Sequence, residues 1–241
     1  MREIAVGRRL VEHGTRGRAL GKDRAVTVLP LSPDELLSTT HSVRKRLDLT
    51  RPVPMALVRE CLEVALQAPT GGNQQGWHWL VITDPDLRTE IATHYRRSYI
   101  AYRAEVDQYP IPPSVDPAAR SATRQRVRDS SAFLADRMAD VPVLVLACIE
   151  AVAELPAENQ AQLWGSLLPA AWSYQLAARA RGLGTAWTTL HLRYEREVAE
   201  LLGIPPHVRQ GVLLPTAYYT GETFRPAPRE PLDHVLHLDR W

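Results

Sequence analysis

Apolar residues recur with helical spacing at Met55, Leu57, Val58, Cys61, Leu62, Val64, Ala65 and Leu66, which predicts a helix with a wide buried face. Ala68-Pro69 and Gly71-Gly72 end it, because proline disfavours helix in the residue before it and glycine frees the backbone to turn. Residues 77–83, Trp-His-Trp-Leu-Val-Ile-Thr, read as a strand, and Asp84-Pro85 closes it and opens a helix through about residue 106. The first clear helix start lies upstream at Ser32-Pro33-Asp34-Glu35, where Ser32 caps, Pro33 suits the first helical position and Glu35 completes a capping box.

The prolines of 109–113 exclude a helix there, and the Arg-rich run 120–138 predicts a mostly exposed one. Residues 141–149 are apolar without alternation, the pattern of a strand buried on both faces. Residues 163–181 read as a central helix, apolar nearly all round and stopped by Gly182. A β-branched strand is expected over 185–190, a short helix over 194–202 with Gly203 just past its end, and a last core strand over 211–219. The tail, 220–241, is Pro-rich and then apolar at Val235, Leu236 and Leu238; it has too little core of its own and needs another surface, such as a second subunit.

With 241 residues, 45% of them hydrophobic, the chain can bury a real core. Its longest apolar run falls far short of the roughly 20 residues that a membrane-spanning helix needs. No signal-peptide hydrophobic region follows the first arginines, since His13, Arg16 and Arg18 interrupt it, so a cytoplasmic protein is expected. Cys61 and Cys148 lie in apolar runs, where a thiol packs as a small hydrophobe, and two such residues make no disulfide framework. A net charge of +2 makes no case for nucleic-acid binding. The excess is concentrated in residues 1–26, which hold seven basic residues against three acidic ones. Residues 1–30 are therefore read as a solvated basic extension ahead of one domain at 31–241.

The nucleophile elbow GxSxG, the Walker A loop, HExxH and CxxC are all missing, which removes the corresponding hydrolase, nucleotide and zinc chemistries. Gly182-Leu183-Gly184 begins like a dinucleotide fingerprint, but the third glycine is absent. His234 and His237 alone make no metal site. What remains is three segments that would suit one anionic, aromatic cofactor. His41-Ser42-Val43-Arg44-Lys45-Arg46 offers the guanidinium forks and hydroxyl that grip a phosphate, although such a run also serves as a solvated basic face. The loop 68–77, Ala-Pro-Thr-Gly-Gly-Asn-Gln-Gln-Gly-Trp, lets a flat ring approach backbone, with Asn73 and Gln75 offering amides; an ordinary turn has the same look. The third segment, 182–190, reads equally as a helix C-cap leading into a strand.

In order and content these segments resemble the FMN-dependent nitroreductase family: Ser-Val-Arg at 42–44, the loop just quoted, Ala-Arg-Ala-Arg-Gly-Leu-Gly-Thr at 178–185, and Arg-Glu-Pro-Leu-Asp at 229–233. The resemblance spans roughly residues 36–238. It implies an α+β nitroreductase-like fold, a central, mostly antiparallel sheet flanked by helices, in an intertwined homodimer with C-terminal arm exchange. FMN would lie in the dimer interface, each site drawing on both subunits. Carried over by motif position, Ser42, Arg44 and Arg229 would hold the phosphate or ribityl end. Pro69, Thr70 and Gly71 would line the ring from the partner subunit, with Asn73 close by. Trp187, Thr188 and Thr189 would follow the ring edge, the Thr189 N–H reaching flavin N5. The Thr188-Thr189 pair is similar to what the iodotyrosine-deiodinase branch carries. Two positions depart from the family pattern. Thr40 and His41 stand where basic residues are common, which leaves the phosphate to Arg44 and Arg229 with His41 as a further contact. Gly76 replaces a proline, which should loosen that turn.

The activity so implied is that of an NADH- or NADPH-dependent oxidoreductase. Hydride passes from the nicotinamide to the flavin, the donor leaves, and an electron-poor aromatic or quinone takes its place. The cofactor carries the chemistry, so no catalytic acid or base is assigned. Reductive dehalogenation on the same fold and non-catalytic FMN sequestration remain as alternatives. Tyr95, Arg96, Tyr99, Tyr102 and Arg103 lie on one helix in the part of the chain where the family varies. Tyr99, Tyr102 and Arg103 are the candidate substrate contacts, under a lid over 95–130, weighed against plain solvated surface.

Overall fold

The computed structural model describes residues 28–108, 114–151, 154–155, 157–222 and 224–241. The basic run of 1–26, nearly all of the expected 1–30 extension, and the prolines at 110, 112 and 113 lie outside these residues.

Helix α1 (Pro33–Thr39) starts at the capping box: the Ser32 hydroxyl accepts from the Glu35 N–H, and the Glu35 carboxylate accepts from the Ser32 N–H at 2.8 Å. Helix α2 (Met55–Ala65) carries the expected apolar face and leads through the glycine-rich loop to strand β1 (Trp77–Ile82). Two 21-residue helices follow, α3 (Pro85–Glu105) and α4 (Pro117–Arg137), each begun by an aspartate, Asp84 or Asp116, that accepts from first-turn N–H groups. Strand β2 (Val143–Glu150), helix α5 (Ala161–Ala180), strand β3 (Leu183–Thr185), helix α6 (Glu195–Leu202) and strand β4 (Val208–Tyr218) complete the domain. Gly203 closes α6 at φ 66°, a left-handed conformation that glycine adopts without strain.

The strands form one antiparallel sheet in the order β1-β2-β4-β3. Alternation along β2 shows why it carries no polar face. Leu144, Leu146 and Cys148 pack with Tyr95, Leu134 and Met138 from α3, α4 and the turn after it. Val143, Val145, Ala147 and Ile149 pack with Leu57, Val58 and Cys61 of α2 and Leu167 and Tyr174 of α5. Helices thus cover both faces. Burial pushes both thiols up to about 12, so Cys61 and Cys148 are inert packing groups. No described helix is long and apolar enough to cross a membrane.

Three sequence expectations need correction. The strand expected over 185–190 is β3, which ends at Thr185, and beyond it only an isolated bridge joins Thr188 to Leu213. The cause lies in the partner strand. The Ala186 N–H donates to the Pro215 carbonyl, but Pro215 has no N–H to return the bond, so the ladder stops there. Strand β4 begins at Val208, earlier than residue 211, because Gly211 is the extra residue of a bulge: Ala147 pairs with Val212 while Cys148 pairs with Gln210. Helix α5 is central but not enclosed all round, since Leu168 and Trp172 face outward.

A Cβ on Gly211 would lie 2.3 Å from Leu167 Cδ2, and Leu167, on the sheet-facing side of α5, is fully buried. Gly211→Ala should therefore cost about 1–3 kcal/mol through overpacking, read as a melting temperature lower by roughly 3–10 °C. An unchanged melting temperature would show that α5 yields at this point.

Candidate cofactor site

The segment after α1 lies along the free side of β3. The Val43 N–H donates to the Thr185 carbonyl at 2.7 Å, the Trp187 N–H donates to Ser42 Oγ at 3.0 Å, and Leu47 bridges Tyr219. Such close approach requires Gly184, where a Cβ would stand 3.1 Å from Val43 Cβ and 3.2 Å from Leu47 Cδ2. Ser42 and Arg44 are thereby fixed against the segment that carries Trp187, Thr188 and Thr189.

Arg44 is half-buried, and no described residue accepts a hydrogen bond from its guanidinium. Burial pulls its pKa down, against the opposing influence of the nearby Tyr95 phenol. Tyr95 is itself buried, and its hydroxyl oxygen accepts from Thr188 Oγ1 at 2.9 Å. The Thr188 side chain is thus turned into the protein, and its backbone is tied to Leu213. Thr189 is exposed, and its N–H donates to no described residue. Neighbouring basic residues have other work: Arg46 Nε donates to the Thr220 carbonyl at 2.7 Å, and its guanidinium lies 4.2 Å from the Phe224 ring centroid.

His41, Ser42, Trp187 and Arg229 line one cavity of about 690 Å³ together with Leu168, Trp172 and Gln175 of α5. Its size is that of a small-molecule site. His41 Nε2 donates to the Arg225 carbonyl at 3.0 Å, and this bond joins the start of the tail to the cavity rim. Arg229 is exposed, and its guanidinium donates to the Pro228 carbonyl. Arg44 is not part of this cavity's wall and lies near Tyr95, which is bonded to Thr188.

The glycine-rich loop faces elsewhere. Thr70 and Gly71 line a second cavity of about 580 Å³ with Glu150 and the first turns of α5, Gln160 to Ser166. Pro69 and Asn73 are exposed on the same loop. Gly72, Asn73 and Gln75 all adopt φ between 53° and 58°, strained for the two amide residues. The strain is held by Gly71 N–H on Ser166 Oγ, Gln75 N–H on Thr70 Oγ1 and the Asn73–Gln75 amide contact. The Gly76 carbonyl accepts from the Glu150 N–H at 2.8 Å and extends the β1–β2 pairing. One chain therefore has two separate cavities along α5, and Thr70 and Gly71 do not line the one formed by Ser42 and Trp187.

Tyr99, Tyr102 and Arg103 do come together. They line a third cavity, about 850 Å³, between the outer parts of α3 and α4, which Pro228, Arg229 and Glu230 of the tail complete. Arg229 therefore touches both this cavity and the one at Ser42. Sequence reasoning missed Glu230, which accepts from Ser114 Oγ, the Val115 N–H and Arg120, bonds that hold its carboxyl down at about 2. Its position beside Arg229 was the available signal. Also missed were Ser166, which receives Gly71, and Gln175, which donates to Thr185 Oγ1 at 2.7 Å.

A four-stranded antiparallel sheet of this order with helices on both faces defines an α+β domain, and beside its cavities lie a half-buried arginine and an exposed N–H that have no hydrogen-bond partner among the described residues. The sequence model of the nitroreductase family matches residues 37–218, and the chain belongs to that family. It is 28% identical over 204 residues to the NADH dehydrogenase of Thermus thermophilus, covering 77% of this chain and 86% of that one. Among solved structures, oxidized iodotyrosine deiodinase bound to FMN and 3-iodo-L-tyrosine is similar at a TM-score of 0.61, with 23% identity and coverage of 86% of this chain and 98% of that one. A point variant of the FMN- and NADPH-dependent nitroreductase NfnB, from a Sphigopyxis strain, is similar at a TM-score of 0.60, with 22% identity and coverage of 88% and 100%.

Proposed function

We propose that this chain is an FMN-dependent NAD(P)H oxidoreductase that reduces nitroaromatics, quinones or similar electron-poor acceptors, with residues 31–241 as the working domain and two copies per active unit. The observation that carries this reading is Arg44: a half-buried guanidinium with no anionic partner among the described residues, in a family whose solved relatives include FMN-bound proteins. A cation taken from water without a partner is costly, and a phosphate restores the balance with strong charge-assisted bonds. Ser42 and Arg229, with His41 at the rim, would share the phosphate or ribityl end. The free Thr189 N–H would meet the polar ring edge, where a fixed donor stabilises developing negative charge. When bound, FMN would supply the two-electron transfer between nicotinamide and acceptor.

The second copy follows from the split site. Pro69, Thr70, Gly71 and Asn73 would line the ring of a second copy's flavin, and α5 exposes Leu168 and Trp172 at the cavity formed by Ser42 and Trp187. The tail is almost without cover in one chain: Leu232, Val235, Leu236, Leu238 and Trp241 are all exposed. Apolar surface of this extent needs a partner, and arm exchange between two copies supplies one.

Purified protein should be yellow, dimeric by light scattering, and bleached anaerobically by NADPH or NADH, with colour restored by a quinone or nitroaromatic. Colourless protein without FMN affinity would overturn the reading. Yellow protein that no nicotinamide bleaches would instead favour flavin sequestration. The Thr188-Thr189 pair and the likeness to iodotyrosine deiodinase support one further reading, reductive dehalogenation, for which halide release from an iodophenol is the distinguishing assay.

A further inference from the structure

Helix α4 reads from sequence as a solvated basic face, but its arginines point two ways. Arg120, Arg124 and Arg128 recur every four residues on the side turned to α3 and line the 850 Å³ cavity with Arg103 and Arg229, all but Arg229 being half-buried. The exposed Arg96–Asp136 pair joins the two helices at 3.2 Å, and Tyr99, Tyr102, Arg103 and Val106 share one cavity wall with Ala119, Arg124 and Val127 of α4. Two carboxylates stand among these five cations. Glu230 is taken by Arg120, Ser114 and Val115, and Asp116 Oδ1 caps α4 at the Ala119 N–H. No described residue accepts a hydrogen bond from the guanidinium of Arg103 or Arg124. The rest of the wall is apolar or aromatic: Tyr99, Tyr102, Val106, and the exposed Val115 and Val127.

We infer that this cavity selects acceptors that carry a negative charge, a flat ring lying against Tyr99 and Tyr102 and an anionic group, a carboxylate or its phosphate or sulfonate equivalent, held by Arg103 and Arg124. The inference rests on the oxidoreductase reading, since it names the substrate class of that site. The charge pattern supports it: a neutral nitroaromatic or quinone would leave both guanidinium groups desolvated without compensation, whereas an anion receives paired, charge-assisted bonds. Glu230 sharpens the selection, because it pairs with Arg120 and joins the tail to the cavity wall, while no described residue accepts a hydrogen bond from Arg103 or Arg124.

Binding of 4-nitrobenzoate and of its neutral counterpart 4-nitrobenzamide to the purified, flavin-loaded protein tests this by calorimetry, independently of turnover. The acid should bind about tenfold or more tighter than the amide, and the preference should shrink steeply between about 0.05 and 0.5 M salt. Arg103→Gln/Arg124→Gln should bring the ratio below about threefold, and the ratio of kcat/KM values for the two acceptors should fall in parallel. Equal binding of acid and amide, or a preference that survives the double substitution, would overturn the inference. So would a double variant that loses only its NADPH-over-NADH preference, for the cations would then serve the donor's phosphate. The salt dependence of the unmodified protein keeps the test valid if the variant folds poorly. A protein that fails to bleach with either nicotinamide yet prefers the acid would refute the oxidoreductase reading and leave the anion site standing.

Discussion

Arg44→Ala should weaken FMN binding by about 10- to 100-fold, the loss of a charge-assisted contact worth roughly 1.5–3 kcal/mol. The same substitution should not harm the flavin-free protein. In the proposed site Arg44 is a half-buried cation with no anion among the described residues, and burial already pulls its pKa down. Its removal relieves a desolvation cost in the empty protein and removes a phosphate ligand from the loaded one. The melting temperature should therefore hold or rise without flavin and fall with it. A merely structural arginine would lower both. Arg44→Lys keeps the charge but loses the planar fork and should fall between. Arg229→Ala should be milder, since that side chain is exposed and already bonded to the Pro228 carbonyl. Flavin fluorescence titration reads all three; unaltered affinity in Arg44→Ala would remove this residue from the site.

How far the fold is legible depends on how local its causes are. The Ser32–Glu35 capping box, the Asp84 and Asp116 caps and the Gly203 stop are written within three or four residues of where they act, and each element starts or ends there. Strand β2 is legible because burial on both faces leaves no polar position. The end of β3 is not, because its cause is Pro215, some thirty residues away in sequence and opposite only once the sheet forms. Gly211 reads as an ordinary strand glycine until Leu167 is seen across from it. The outward stripe of α5 reads as core because Leu168 and Trp172 have the composition of residues that face the interior, and only the packed helix shows which side stays open.

The site divides the same way. Ser42, Arg44, Trp187 and Thr189 were visible because their motifs lie in segments that pair directly, 42–43 against 185–187. Tyr95 was visible only as one of several helix residues, and its tie to Thr188 depends on how α3 lies on the sheet. The cationic face of α4 was hidden by composition: an Arg-rich helix looks solvated until another helix is laid against one side of it.

The second large effect concerns acid. His191 sits in the turn that directly follows Thr189, fully buried, and neither ring nitrogen has a hydrogen-bond partner among the described residues. Burial pushes its pKa down to about 3. The unfolded chain takes up this proton near pH 6.5, whereas the folded chain resists it until about pH 3. Acid therefore favours unfolding throughout that window, and stability rises with pH across it. Between pH 8 and 5 the expected loss is about 2 kcal/mol. The carboxylates held low by hydrogen bonds, Glu35, Asp48, Glu105 and Glu230, act elsewhere on the scale. Their stabilisation is complete above the usual carboxylate range and is lost only below it, so the span from pH 8 to 5 isolates the histidine. Urea unfolding at fixed protein concentration and saturating FMN should show this loss in the native chain and less than about 0.5 kcal/mol of it in His191→Gln, which cannot titrate. His191→Leu provides the same comparison if the amide packs badly. Equal losses in native and variant chains would place the acid sensitivity elsewhere. Because the Leu192 N–H of this turn donates to the Thr189 carbonyl at 3.0 Å, opening of the turn frees the residue proposed to meet the flavin ring. Flavin retention should decline over the same pH window, and His191→Gln should stay yellow at a pH where the native chain bleeds its colour into the buffer.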